Sequence, residues 1–271
     1  MRNDEFIVMP IAQTKDETKT SRTFFFDYNL NSKPGQFVML WLPGVGEKPI
    51  SVSGEKEGRF SVTVCAVGPV SKAICELKKG DKLGFRGPFG THYSIPKDVE
   101  SIAVVGGGYG SAPLAYLCEH AIAQGKKAYF IEGARDSAHL LFAKRMEDAG
   151  AEVLLATDDG SEGVKGFPTD LLKDALKAHK IDRVFSCGPE IMMKKVAEIS
   201  AHFNVSSEVS MERYMKCGIG VCGQCAVDEL GICLCKEGPV ISGKTALSLK
   251  EFGNYFRDSS GKKIEYNSRR V

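Results

Sequence analysis

No stretch of this chain approaches the roughly 20 consecutive apolar residues that a membrane-spanning helix needs. The opening segment, MRNDEFIVMP, is too polar to be a secretory signal. An excess of one charge is equally lacking. Its 36 basic and 34 acidic residues leave a formal net charge of +2, which gives no electrostatic footprint for nucleic acid or an anionic membrane. There are no internal repeats and no low-complexity tract. Histidine is scarce: the five in the chain are scattered and expected at the surface, and no hydrolytic constellation can be assembled around them. Cysteine is not scarce, with nine in 271 residues. Without a sign of export these do not read as a disulfide framework, and a reducing cytoplasm with one metal site accounts for them better. Cys65, Cys75 and Cys118 lie in apolar stretches and are expected to be inert core thiols.

Four of the cysteines carry the most information. Cys217, Cys222 and Cys225 stand in the spacing C-x4-C-x2-C with a further cysteine downstream, the plant-type arrangement for a [2Fe–2S] cluster. The loop between Cys217 and Cys225 holds Gly218, Gly220 and Gly223, which permit the positive φ angles needed to wrap backbone around an inorganic core. A structural zinc site is the alternative, but it usually shows two cysteine knuckles or paired Cys and His. Here there is one knuckle and no nearby histidine. The fourth ligand is Cys233 or Cys235. If Gly231 to Cys235 forms a strand, both face one side. Cys235 abuts the turn at Lys236–Pro239 and is the preferred ligand, with Cys233 packing as a small hydrophobe.

At 271 residues the chain suits two domains and a small module. Four divisions are expected: 1–97, 98–208, 209–241 and a polar tail, 242–271. The first is rich in short β-type runs, Glu5–Met9, Arg22–Asp27, Gln36–Trp41 and Arg59–Cys65, separated by Pro/Gly turns, which suggests a small antiparallel barrel. One helix is expected within it, from Ser71 as N-cap to Lys79, with Gly80 as its stop. After Ser101 strands alternate with helices: Ile102–Val105, Ser111–Gln124, Ala128–Ile131, Ser137–Ala149, Glu152–Leu155, Thr169–Ala178, Arg183–Phe185, and a last helix ending near His202. That alternation indicates a doubly wound parallel sheet. The tail carries Phe252, Tyr255 and Phe256, expected to cover a cofactor or dock a partner.

The turn after the first of these strands reads Gly106-Gly107-Gly108-Tyr109-Gly110-Ser111-Ala112-Pro113. It fits G-x-G-x-x-P from Gly108 to Pro113. Small residues let the backbone approach a pyrophosphate, and the following helix offers its N–H groups and dipole. Glu132 ends the second strand at the distance where an acidic residue accepts from a ribose 2′-OH, favouring NAD. Arg135 stands close enough to reach a 2′-phosphate instead, and a solvated loop carboxylate is the plain alternative for Glu132. Cys187-Gly188-Pro189-Glu190 closes the last strand at the sheet edge where ligands settle. Cys187 there either lines a nicotinamide pocket or is a buried turn residue. Met192 and Met193 follow as candidate core.

Together these motifs resemble the ferredoxin–NADP reductase superfamily, and within it the electron-transfer subunits of class B, NAD-dependent dihydroorotate dehydrogenase. The resemblance runs over essentially the whole chain. Pro34–Trp41 matches the PGQFV strand, Lys48-Pro49-Ile50-Ser51 the R-P-x-S flavin motif, and Gly87–Gly90 the GPLG turn. Gly106–Pro113 matches the GGGxGxAP loop, Cys187–Glu190 the CGPE signature, and Cys235–Pro239 the fourth-ligand signature C-x-x-GP, which favours Cys235. The resemblance implies FAD held by Lys48, Pro49, Ile50 and Ser51, by Val64 and Cys65, and by the N–H groups of Val70 and Ser71. Lys48 stands where the family usually has Arg, turning a bidentate phosphate fork into a point charge. Val67–Ser71 also departs from the usual G-x-G-T wording. The implied activity is oxidoreductase electron transfer among NAD, FAD and [2Fe–2S], with no acid or base from the protein. Dihydroorotate is oxidised at the FMN of a catalytic partner, in a heterotetramer of two of each subunit. Ile219 and Val221 are candidate partner contacts. The rivals are the small subunit of an NADH-dependent ferredoxin:NADP oxidoreductase or sulfide dehydrogenase, and a non-catalytic zinc-binding adaptor.

Overall fold

The computed structural model describes residues 4–266. Its N-terminal part consists of β1 (Ile7–Pro10), β2 (Gln13–Asp16), β3 (Ser21–Phe26), β4 (Phe37–Leu42), β5 (Gly46–Lys56), β6 (Arg59–Cys65), α1 (Pro69–Cys75) and β7 (Lys82–Phe89). The strands follow the order β1-β7-β4-β5-β6-β3-β2, antiparallel throughout. The long β5 belongs to both halves, with a register shift between Val52 and Gly54 where it passes from β4 to β6; such irregularities bend a sheet. The expected barrel is thus a half-barrel with β1 and β2 at its edges. Phe24, Phe26, Phe60 and Phe85 are fully buried at its centre, each contributing about 1.5–3 kcal/mol.

The expected helix from Ser71 is shifted. Gly68 is the N-cap and Pro69 opens α1. Ser71 sits in the first turn, where its Oγ accepts from the N–H groups of Val67 (3.1 Å) and Gly68 (3.0 Å). Gly80 does not stop the helix. It lies in the turn before β7 with φ +91°, and its N–H donates to the Ile11 carbonyl at 2.9 Å.

The second sheet has the order β11-β10-β9-β8-β12-β13-β14. It comprises β8 (Ser101–Gly107), β9 (Lys127–Ala134), β10 (Glu152–Thr157), β11 (Val164–Lys165), β12 (Arg183–Cys187) and β13 (Ser206–Ser210), all parallel, and β14 (Val240–Ser242), antiparallel to β13. Its helices are α2 (Ser111–Ala123), α3 (Ala143–Ala149), α4 (Pro168–Ala178) and α5 (Glu190–His202). The helix expected over Ser137–Ala149 is broken. A 3-10 turn spans Ser137–His139, and Phe142, at φ +68°, precedes α3. Leu141 and Phe142 are both buried there, so packing overrides helical continuity.

The C-terminal segment is more than a tail. β14 joins the nucleotide-type sheet, and α6 (Leu234–Glu237), α7 (Gly243–Ser248) and the hairpin β15 (Tyr255–Arg257)–β16 (Lys263–Glu265) continue the chain. Ala246, Leu249 and Phe252 are buried in one cluster with Phe37, Met39 and Phe89 of the half-barrel. Met192 and Met193 of α5 and the buried Cys225 and Cys235 belong to the same cluster. All three parts of the molecule therefore share one core around the cysteine loop. Phe252, which is 1% exposed, is part of that core and unavailable to a cofactor or partner. No helix of the described residues is long and apolar enough to cross a membrane.

Candidate cofactor sites

The cysteine loop is built by its glycines. Gly218, Gly220 and Gly223 all have positive φ, at +71°, +79° and +67°, and the resulting turns aim backbone N–H groups at sulfur. Val221 and Cys222 donate to Cys217 Sγ at 3.4 and 3.5 Å. Gly220 donates to Cys235 Sγ at 3.1 Å, and Cys235 to Cys225 Sγ at 3.3 Å. Burial alone would raise the Cys217 thiol, but N–H groups of Cys222, Ile219 and Val221 outweigh it and hold it down to about 6. Thiolates stabilised by N–H donors are the chemistry an iron–sulfur core requires. Cys217, Cys225 and Cys235 each carry such a donor, and Cys222 stands exposed in the same loop.

Gly231–Cys235 is not the strand its alternating pattern suggested. Ala226 and Cys233 make one isolated bridge, and α6 follows with Cys233 as N-cap. The helical turn separates the two cysteines. Cys235 is buried with its sulfur reached by the loop, whereas Cys233 is half-buried and gives its N–H to Glu237 Oε2 at 2.7 Å.

This loop lies on the half-barrel. A Cβ at Gly218 would stand 3.0 Å from Met39 Cγ, and one at Gly90 would stand 2.6 Å from the Gly238 carbonyl. The Thr91 N–H donates to that same carbonyl at 2.6 Å. Gly90 and Thr91 at the end of β7 and Gly238 at the end of α6 are therefore in direct contact.

Lys48, Pro49, Ile50 and Ser51 occupy the half-buried middle of β5, paired with β4 through Leu40↔Lys48 and Phe37↔Ser51. α1 starts beside them: a Cβ at Gly46 would meet Val70 Cγ2 at 3.0 Å. Val70 and Ser71 are in the first turn of α1, where N–H groups lack helical partners. The Lys48 ammonium lies 4.8 Å from the centre of the Tyr214 ring, a cation–π contact that the sequence motif does not announce. Cys65 is half-buried at the end of β6, but the Val64 side chain is fully buried in the half-barrel core. Only backbone of Val64 is left for a ligand.

Gly106 and Gly107 end β8, Gly108 and Gly110 bound a 3-10 turn, and Pro113 lies in the first turn of α2. A Cβ at Gly110 would stand 2.5 Å from the Cys187 carbonyl, and one at Gly107 would stand 2.7 Å from Pro189 Cδ. Gly188, at φ +148°, has no room for a Cβ against the Gly107 backbone. These glycines therefore serve the packing of the two turns on each other as well as any approach of phosphate. Cys187 is pushed up to about 12, first by burial and then by the charge of Glu212, so it is an unreactive thiol.

Glu132 is placed differently from its expected role at a ribose. It is fully buried, its Oε1 accepts the Leu141 N–H at 2.7 Å, and Oε2 makes no hydrogen bond among the described residues. Burial, the main cause, raises its carboxyl to about 8 despite the Leu141 N–H and Ser111 hydroxyl. A carboxyl buried this completely is not the solvated loop residue, and it does not present itself to a ribose.

Sequence motifs missed several polar groups that the fold gathers. The Tyr109 hydroxyl donates to Glu212 Oε2 at 3.0 Å, joining the glycine turn to the segment entering the cysteine loop. Arg213, 7% exposed, pairs with Glu190 of α5 and with Glu251. Arg86 reaches the Cys217 carbonyl. A lone arginine in the apolar run Lys82–Phe89 was the one available signal for this last contact.

Two family models match. Residues 212–246 match the iron-sulfur cluster binding domain of dihydroorotate dehydrogenase B, and residues 104–198 the oxidoreductase NAD-binding domain. The chain is 47% identical over 260 residues to a probable dihydroorotate dehydrogenase B (NAD(+)), electron transfer subunit, of Methanocaldococcus jannaschii, covering 96% of this chain and 98% of that one. A protein of the same description from Pyrococcus furiosus is 41% identical over 93% and 96%. Among solved structures, the NADH-dependent reduced ferredoxin-NADP oxidoreductase, described for flavin-based electron bifurcation, superposes with a TM-score of 0.79. It is 29% identical, over 87% of this chain and 88% of that one. A ferredoxin NADP+ reductase of Neisseria gonorrhoeae with bound FAD and NADP shares the fold, at TM-score 0.59, 19% identity, and 73% and 91% coverage. With relatives this similar over nearly its whole length, the chain belongs to the family of dihydroorotate dehydrogenase B (NAD(+)) electron transfer subunits.

Proposed function

We infer that this chain is the electron-transfer subunit of an NAD-dependent dihydroorotate dehydrogenase, serving de novo pyrimidine synthesis in the cytoplasm. Bound flavin and cluster supply the conversion between two-electron hydride chemistry and one-electron transfer. The observation that carries the reading is the seating of the N–H-lined cysteine loop directly on the half-barrel strands beside Lys48–Ser51.

Cys217, Cys222, Cys225 and Cys235 hold [2Fe–2S]. Lys48, Pro49, Ile50, Ser51, the backbone of Val64, Cys65, and the N–H groups of Val70 and Ser71 hold FAD. Gly106, Gly107, Gly108, Gly110 and Pro113 receive the NAD pyrophosphate at the start of α2. Cys187, Gly188 and Pro189 wall the nicotinamide side, where a protonated thiol excludes water without competing as a nucleophile. No residue is needed as acid or base. The dehydrogenation itself belongs to an FMN-containing partner, two of each chain forming the assembly. Ile219 (40% exposed) and Val221 (78% exposed) present apolar surface for it. Nine cysteines, none of them in a disulfide, suit a reducing compartment.

The anaerobically purified chain should reduce a dye with NADH, and it should act on dihydroorotate only when co-purified with its FMN partner. Cys222→Ser should abolish transfer to the partner and leave reduction of the flavin by NADH largely intact. Equal loss of both steps in stopped-flow measurements would reject separate stations. The likeness to the NADH-dependent ferredoxin-NADP oxidoreductase structure supports a second reading, as the small subunit of such an enzyme. Co-purification with a large flavin and [4Fe–4S] subunit would select it. Zinc without flavin in the purified chain would select an adaptor.

A further inference from the structure

Arg86 holds an unusual position. Its side chain is 9% exposed, between the rings of Phe6 and Phe89, whose centres lie 5.2 and 5.5 Å from its guanidinium carbon. One edge of the guanidinium is occupied by Glu47: Nε and Nη2 both lie 2.7 Å from Oε1. The other edge donates through Nη1 to the carbonyl oxygen of Cys217, at 2.7 Å across 131 residues of chain. Glu47 immediately precedes Lys48 in β5 and pairs with Trp41 of β4. Arg86 itself pairs with Met39, on which Gly218 of the cysteine loop rests. A single planar cation therefore ties the strand carrying Lys48–Ser51 to the backbone of the first cysteine of the loop.

We propose that Arg86, with Glu47 as its counter-charge, is a positioning residue that sets the seat and the reduction potential of the cluster relative to the flavin strand. The inference rests on the cluster reading above. A buried guanidinium is costly unless paired and fully hydrogen-bonded, and ordinary packing of β7 would be served as well by an aliphatic residue. The Arg86 fork is spent on one carboxylate and one cysteine carbonyl. It pulls electron density from the peptide of a ligand residue, and the nearby charges bear on a cluster whose potential follows net charge and hydrogen bonding. The signs for the two partners are opposite. Removing the cation leaves Glu47 uncompensated and makes reduction harder; removing the carboxylate leaves Arg86 uncompensated and makes reduction easier.

The test is a redox titration of the cluster, followed by electron paramagnetic resonance, in the anaerobically purified full chain and in Arg86→Gln, Arg86→Lys and Glu47→Gln. Arg86→Gln is expected to lower the reduced-to-oxidised ratio at fixed poise about tenfold, equal to about 59 mV for one electron. Glu47→Gln is expected to raise it by a similar factor. Arg86→Lys, which keeps the charge but loses the fork, should keep a potential near wild type while slowing flavin-to-cluster transfer in stopped flow. If Arg86→Gln does not fold, the directions in Glu47→Gln and Arg86→Lys still decide. Unchanged potentials, or Arg86→Gln and Glu47→Gln shifting alike, would overturn the proposal while leaving the cluster reading standing. A wild-type chain with no cluster signal would overturn the reading itself.

Discussion

Two buried polar groups define what single residues contribute here. Glu132 is fully buried, and burial pushes its carboxyl up to about 8, against an ordinary value of 4.5. Between those values the unfolded chain binds fewer protons than the folded one. The stability tied to the neutral carboxyl is therefore complete below about 4.5 and lost as pH rises through about 8. Glu132→Gln, neutral at every pH, is expected to lose less Tm than the wild type between about pH 5 and about pH 8; parallel curves would reject the buried acid. Arg213 is the converse case, a guanidinium shared by Glu190 and Glu251, whose remaining oxygens accept N–H groups of Gly253 and Asp228 at 3.0 Å. Arg213→Met leaves two buried carboxylates unpaired and should cost roughly 3–5 kcal/mol in denaturant unfolding. Neither residue belongs to a local pattern. Glu132 was expected to end its strand as a ribose acceptor, but β9 runs on to Ala134, and Glu132 is buried with its Oε1 on the Leu141 N–H.

At the scale of elements, the strands and helices were legible where periodicity and glycine placement were strong. β6 occupies the expected Arg59–Cys65, and α2 runs from Ser111 as expected. Misreadings fell where a tertiary contact outbid local preference: α3 begins only after Phe142 has been buried, and Cys233–Cys235 turns into a helix so that the Cys235 N–H reaches Cys225 Sγ. The two glycine turns are a unit rather than independent motifs. Gly110→Ala would force a Cβ into the Cys187 carbonyl and push the turns apart. We expect kcat/KM for NADH to fall roughly tenfold to a hundredfold with the flavin absorption spectrum retained; an unchanged value would show that the turns move independently.

For the whole molecule, the last segment matters most. Ala246, Leu249 and Phe252 fill the core around the cysteine loop, and Glu251 closes the Arg213 pair. A chain ending at Ser242 should lose thermal stability and cluster content together, measured by unfolding and by iron per chain. Full cluster loading in the shortened chain would rule out that support. A polar composition hid this role, because only three apolar side chains and one carboxylate carry it.

The amino-acid sequence by itself determined the chemistry on offer: three thiols at cluster spacing, glycines that permit positive φ, and a strand–turn–helix able to meet phosphate. Those are properties of short stretches, set by spacing and backbone freedom. The tertiary structure alone decided that Glu132 is buried, that Cys233 caps a helical turn, and that Arg86 spans 131 residues to the Cys217 carbonyl. These depend on packing between distant segments, whose free energy is distributed over contacts that no local pattern encodes.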